Sequence, residues 1–224
     1  MKKLMSGAAG LILMLLTACP PLGAQTDDEL SGLPQLLYPG FSEATIIFKD
    51  GRTKKMQMNY NMASGKMVFR ESGNIFDLQT PELIDTVVIN GTKFVKSGSR
   101  FLELLLNAPV SLLLDHKGEI VPAGKPAGYG GTSQVSATTT ISGMSSGSAY
   151  YNLKLPPQYI VKTEKIYVLK DEEGNLSNFS TSRQFLKLFP QLETQLQEFI
   201  KKNKIKFGEK EDVAKLIEFH NSLL

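Results

Sequence analysis

The stretch from residue 44 to 70, ATIIFKDGRTKKMQMNYNMASGKMVFR, leaves its chain little choice of structure. Thr45, Ile46, Ile47 and Phe48 are β-branched or aromatic, side chains that suit a pleated, half-buried surface. Lys49-Asp50-Gly51-Arg52 follows, and Asp-Gly predicts a two-residue type I′ hairpin turn. Met56, Met58 and Tyr60 then alternate with Lys55, Gln57 and Asn59. That period of two predicts one buried face and one wet face. Ala63-Ser64-Gly65 supplies a second turn, and Met67, Val68 and Phe69 open a third strand. A helix would tolerate neither break, so the stretch reads as a β-meander.

The same signals recur downstream. Residues 25–35 read as a linker ending in a short docking segment, and strands are expected over 75–78, 84–89, 92–95, 101–106 and 110–114. Asn90-Gly91 is a second hairpin signal, Asn107-Ala108-Pro109 is a stop, and His116-Lys117-Gly118 reads as an exposed polar turn. From residue 122 to 148 the chain is rich in Gly, Ser, Thr and Ala. It has too few large apolar side chains to offset the entropy of ordering, and reads as a flexible loop. Strands resume over 150–155, 165–170 and 176–179.

Thr181-Ser182-Arg183-Gln184 has the form of a capping box, opening a short helix that Pro190 ends. Leu192, Leu196, Phe199 and Ile200, then Val213, Leu216, Ile217, His220 and Leu224, recur at helical spacing on either side of Gly208. The fold class expected is therefore α+β. An antiparallel meander or partly closed barrel spans residues 36–179, and a C-terminal helical hairpin over 180–224 packs on the sheet.

The N-terminus speaks to location. Lys2 and Lys3, the apolar run over 11–16, and Gly23-Ala24 before Gln25 have the layout of a secretory signal over residues 1–24. The run is too short for a membrane span. Leu16-Thr17-Ala18-Cys19 also resembles a bacterial lipobox, so Cys19 is either a lipidation site, giving the one membrane attachment expected, or part of a discarded leader. Cys19 is the only cysteine, so the mature chain has no disulfide and must rely on a packed core. The formal charge of +3 includes Lys2 and Lys3, which leaves about +1 after cleavage. Such a surface argues against nucleic acid as a partner.

Few residue patterns suggest chemistry. Gly143-Met144-Ser145-Ser146-Gly147 matches the serine-hydrolase G-x-S-x-G, with Asp171 and His220 following, but that mechanism needs the serine on a strand-to-helix turn. His116 and His220 are the only histidines, and no metal or cofactor site is expected. Lys201, Lys202, Lys204 and Lys206 form a basic cluster that is either a contact patch for an anionic partner or a solvated helix terminus.

FKDGRTKKMQMNYNMASGKMVF, PELIDTVVINGTKFV and FLKLFPQLETQLQEFIKKNKIKFGEKEDVAKLIEFHNSLL resemble a group of uncharacterised exported proteins of Bacteroidetes-type bacteria. The resemblance implies a cell-envelope location and brings no catalytic residues. Asp85-Thr86-Val87 resembles the short O-glycosylation signal of exported proteins in such bacteria. The function expected is non-enzymatic binding of an envelope protein or a glycan. The alternatives are a hydrolase built on Ser145 and His220, or a lipid-anchored structural subunit of an envelope complex.

Overall fold

The computed structural model of the chain describes residues 32–72, 74–123 and 155–224, with the backbone of four two-residue strands between 125 and 150. The leader expected over 1–24, Cys19 within it, and most of the 122–148 segment lie outside the described residues.

The opening meander comprises β1 (Ser42–Phe48), β2 (Thr53–Asn61), β3 (Lys66–Glu71) and β4 (Asn74–Asp77), each antiparallel to the one before. Its first turn differs from the expectation. Gly51 alone takes a left-handed φ of 84°, Gly51 N–H donates to Phe48 O, and Phe48 N–H donates to Arg52 O. The connection is thus a three-residue loop with a glycine bulge rather than a type I′ pair. Asp50 keeps an ordinary φ, and its carboxylate accepts from the Arg52 backbone N–H and from Arg52 Nε. Asn90 and Gly91 behave differently: both have positive φ, 50° and 79°, as a type I′ turn requires.

After a 3₁₀ turn over Pro81–Leu83 the chain does not continue beyond β4. Instead β5 (Ile84–Ile89) returns to the vacant side of β1, and β6 (Thr92–Ser97), β7 (Arg100–Leu106) and β8 (Ser111–Pro122) add outward from it. Two short strands, β9 (Lys125–Pro126) and β10 (Thr132–Ser133), pair with each other. β11 (Ser145–Ser146) and β12 (Ala149–Tyr150) extend the β4 edge, while β13 (Tyr159–Lys170) and β14 (Leu176–Phe179) complete the other side. The resulting 12-stranded sheet runs β11-β12-β4-β3-β2-β1-β5-β6-β7-β8-β13-β14.

The ladder stays open, with β11 and β14 at its ends, but the sheet curls. Phe101 N–H donates to Gly65 O at 2.9 Å and Gly118 N–H to Met62 O at 3.0 Å, bringing the β2–β3 turn against β7 and β8. Gly118 is needed there: a Cβ on it would meet Met62 Cβ at 3.0 Å and the Ala63 nitrogen at 3.2 Å. Inside this curl lies a core of Ile46, Met58, Tyr60, Met67, Val87, Ile89, Phe94 and Phe101, all buried. Tyr60 stacks on Phe94 with ring centroids 5.5 Å apart.

Two expectations fail in the sheet. Residues 116–118 form no turn, since β8 runs unbroken to Pro122 with β13 opposite along its whole length. Asn59, assigned to the wet face, is fully buried. The segment before β1 lies over that face, where Leu33 and Leu36 pack on Val68 and Ile75, and Asn59 Nδ2 donates to the carbonyls of Tyr38 and Gly40.

Among the described residues three helices close the fold: α1 (Ser182–Leu188), α2 (Glu193–Asn203) and α3 (Lys210–Asn221). The expected capping box is present. Thr181 Oγ1 accepts from Gln184 N–H, and Gln184 Oε1 accepts from Thr181 N–H. Phe185, Leu196, Val213, Leu216 and Ile217 bury their stripes against Leu112, Leu114, Tyr167, Leu169 and Phe179 of the sheet. Polar anchors fix the docking. Tyr167 Oη donates to Phe207 O at 3.0 Å, and the Asn221 amide exchanges two hydrogen bonds with the Val110 backbone at 2.9 and 3.0 Å. Among the described residues no helix is long and apolar enough to cross a membrane.

Candidate functional site

The two apolar cores meet at a small polar cluster that the sequence did not advertise. On the face of β7 and β8 that bears Phe101, Leu112 and Leu114, the pleat also places Glu103 and His116. His116 Nε2–H donates to Glu103 Oε2 at 2.6 Å, and Lys210 Nζ, at the first position of α3, donates to Glu103 Oε1. The Glu103 side chain is 5% exposed, that of His116 13% and that of Lys210 34%. Burial alone would raise the Glu103 pKa. The hydrogen bonds from His116 and Lys210 outweigh it and hold the carboxyl below its usual range, so Glu103 is an anion clamped by two donors.

A second pair adjoins the first. Arg100 Nη2 donates to Asp115 Oδ1 at 2.9 Å and to Met62 O at 3.0 Å, and lies 3.5 Å from the Tyr60 hydroxyl. The Tyr60 ring packs edge-on to His116 with centroids 6.4 Å apart, and its burial pushes the phenol pKa up to about 12. Burial first, then the nearby Glu103 charge, raises Tyr38 as well, against a hydrogen bond with Thr92 that lowers it.

Chemically, a carboxylate holding an imidazole through one nitrogen is the orienting half of a catalytic triad. The other half is a nucleophile on the second nitrogen. Among the described residues no serine, threonine or cysteine hydroxyl or thiol hydrogen-bonds His116. The cluster ties the first residue of α3 to the middle of β7 and β8, and it joins the helical layer to the curled sheet.

The opposite face of the sheet carries a groove of about 540 Å³. Ile84, Val95, Leu104, Leu113 and Leu176 form its apolar lining, with Lys49, Lys96, Lys170, Glu82 and Asp85 around them. Val95 and Leu104 sit beside a buried layer of Leu102, Leu113 and Val168. Among the described residues no aromatic side chain lines it. A smaller groove of about 200 Å³ lies by the Lys66–Asp77 ion pair, between β3, the chain after β4 and the β6–β7 turn.

The sequence-singled residues are scattered. His220 is 1% exposed on the buried side of α3, its ring 4.0 Å from that of Phe189, and neither ring nitrogen has a hydrogen-bond partner. Burial lowers its pKa, so the ring is neutral at pH 7. Ser145 lies in the two-residue strand β11, not on a strand-to-helix turn, and Gly143, Met144 and Gly147 lie outside the described residues. His116, read as an exposed turn residue, is instead a strand residue inside the polar cluster, because β8 continues through it. Lys201, Lys202, Lys204 and Lys206 are all exposed at the end of α2, where Lys204 takes the left-handed cap. Thr86 lies in β5 between β1 and β6 and donates its hydroxyl to Asp85 at 2.8 Å. Among the described residues no group of three or more His, Cys, Asp or Glu converges on a metal position.

Glu103 could have been suspected from one signal, a lone acid in the apolar run Phe101-Leu102-Glu103-Leu104-Leu105-Leu106. Compared with known protein families, curated proteins and solved structures, the chain matches none of them.

Proposed function

We propose that this is an exported, non-enzymatic recognition protein of the cell envelope whose ligand is another polypeptide, held in the groove on the outer face of β6, β7 and β8. The observation that carries the reading is the groove's lining: apolar residues at Val95, Leu104, Leu113 and Leu176 among charges of both signs. Apolar floors with a few placed polar groups are the usual form of a binding site. Proteins that hold sugars stack their rings on aromatic side chains, and the described residues of this lining include none, which favours a peptide over a glycan. Export rests on the leader and on the resemblance carried by the sequence. The hydrolase alternative loses support from His220, whose sealed ring nitrogens offer no route for a serine proton.

The test is affinity purification from native envelope with the wild-type protein and with Leu176→Glu/Lys96→Glu. Leu176 is 50% exposed and lines the groove, so the change should leave the melting temperature within a few degrees. A polypeptide recovered repeatedly with wild type and lost with the variant is the expected result. Recovery undiminished by the variant rules out the groove, and hydrolytic turnover abolished by Ser145→Ala rules out the non-enzymatic reading. Mass spectrometry of the mature N-terminus separates secretion from anchoring, because a free Gln25 excludes a lipid on Cys19.

A further inference from the structure

β13 pairs with β8 along all of its length, but β14 covers it on the other side only over Tyr167 to Lys170. Among the described residues, 159–166 have no strand on that side, so a row of backbone N–H and C=O groups is left at an edge. Natural proteins blunt such edges with charge, and Lys162, Glu164 and Lys165 stand here, all exposed. Yet Ile160 in the same stretch is 45% exposed, one of few large apolar side chains to be so.

We propose that this edge binds a second copy of the chain, β13 against β13, antiparallel about a two-fold axis at Thr163. An isologous pair must place one residue opposite itself, and the choice decides which charges meet. An axis at Lys162 or Glu164 would set like charges face to face. An axis at Thr163 sets Lys162 of each copy against Glu164 of the other, with Thr163 against Thr163 and Ile160 against Ile166. These are the cross-strand pairings that stabilise sheets.

The neighbouring strand extends the match. Within the chain, Glu119 of β8 stands opposite Lys162 and Lys117 opposite Glu164. Across the axis the row therefore reads Glu119, Lys162, then Glu164 and Lys117 of the second copy, alternating in sign over four strands. The same alternation repels a foreign edge in most registers, so the charges that discourage indiscriminate pairing permit this one. On the inner face Val161 meets Lys165, whose ammonium is drawn aside to Gly208 O at 3.0 Å, leaving the aliphatic stem to cover the valine. The dimer would join two sheets into one, and the groove of each copy stays clear of the axis. It goes beyond the recognition reading above and does not depend on it.

The test is analytical ultracentrifugation of the wild-type protein over a concentration series, with two single variants and their mixture. Wild type is expected to reach a monomer–dimer equilibrium. Lys162→Glu makes both axial pairs Glu–Glu, and Glu164→Lys makes both Lys–Lys, so each variant alone should self-associate at least about tenfold more weakly. Mixed in equal amounts the two variants regain both matched pairs, and heterodimer formation near wild-type strength is expected. Ile160→Asn, at an exposed position, gives a second probe and should also weaken the dimer. A wild type that stays monomeric at every concentration, variants that dimerise like wild type, or a mixture that remains monomeric overturns the proposal. Leu176→Glu/Lys96→Glu should leave the dimer intact, so failure of the groove and failure of this edge are separate results.

Discussion

Glu103 is held by donors from two different layers, which makes it the residue where sheet and helices are joined chemically. Removing one member of a buried, hydrogen-bonded charge set leaves the others unpaired, so Glu103→Ala should cost about 3 kcal/mol in urea unfolding. Lys210→Ala should cost much less, because water screens an ammonium that is a third exposed. The sign of the pH dependence follows from the shifts. Glu103 titrates below its unfolded value, so its contribution is complete above about pH 4.3 and is lost as pH falls through the folded pKa. His220 is also depressed, by burial: the unfolded chain takes up its proton first, and stability declines as pH drops below about 6.5. Melting temperatures measured from pH 7.5 to 5 should therefore fall in wild type. In His220→Phe, which keeps a ring against Phe189, they should change less over that range.

At the scale of elements, local chemistry and tertiary contact can be separated by which substitutions hurt. The α1 capping box is local, and Thr181→Ala should lower stability by about 1 kcal/mol through the lost bond to Gln184 N–H. Gly118 is a different case: its neighbours in sequence say nothing about Met62, which reaches it across the curl. Gly118→Val should cost about 2 kcal/mol or more, since the added methyls must displace the β2–β3 turn. Equilibrium unfolding of both variants by circular dichroism checks the order. The strands themselves were legible wherever a turn signal bounded them, as at Asn90-Gly91 and Asn107-Ala108-Pro109. His116-Lys117-Gly118 misled because its residues have turn-like chemistry in isolation, while β13 supplies a partner for each of them.

For the whole molecule, one curled sheet serves both the core inside the curl and the core beneath the helices, and the helices cover the end of it that runs from β7 to β14. Leu112, Leu114 and Tyr167 depend on Val213, Leu216 and Ile217 for their burial, so deleting residues 210–224 should abolish soluble folded protein rather than trim it. Far-ultraviolet dichroism and tyrosine fluorescence should report coincident unfolding transitions in the intact chain, and a separated first transition would show the helical layer to be independent. Neither candidate surface could be located from sequence. The groove collects Lys49, Val95, Leu104 and Leu176 from four separate stretches, and the free edge of β13 exists only because β14 is short.

Alternation, turn residues and caps operate over a few positions, so local residue order is enough to set the strand-rich body, most strand ends, the capping box and the apolar stripes of the helices. Which strands are neighbours was decided by long-range packing: β5 returns to β1, the β2–β3 turn meets Gly118, and Glu103 finds Lys210 more than a hundred residues away. No short window carries that information, because the favourable term is the burial of side chains that meet only once the sheet has curled.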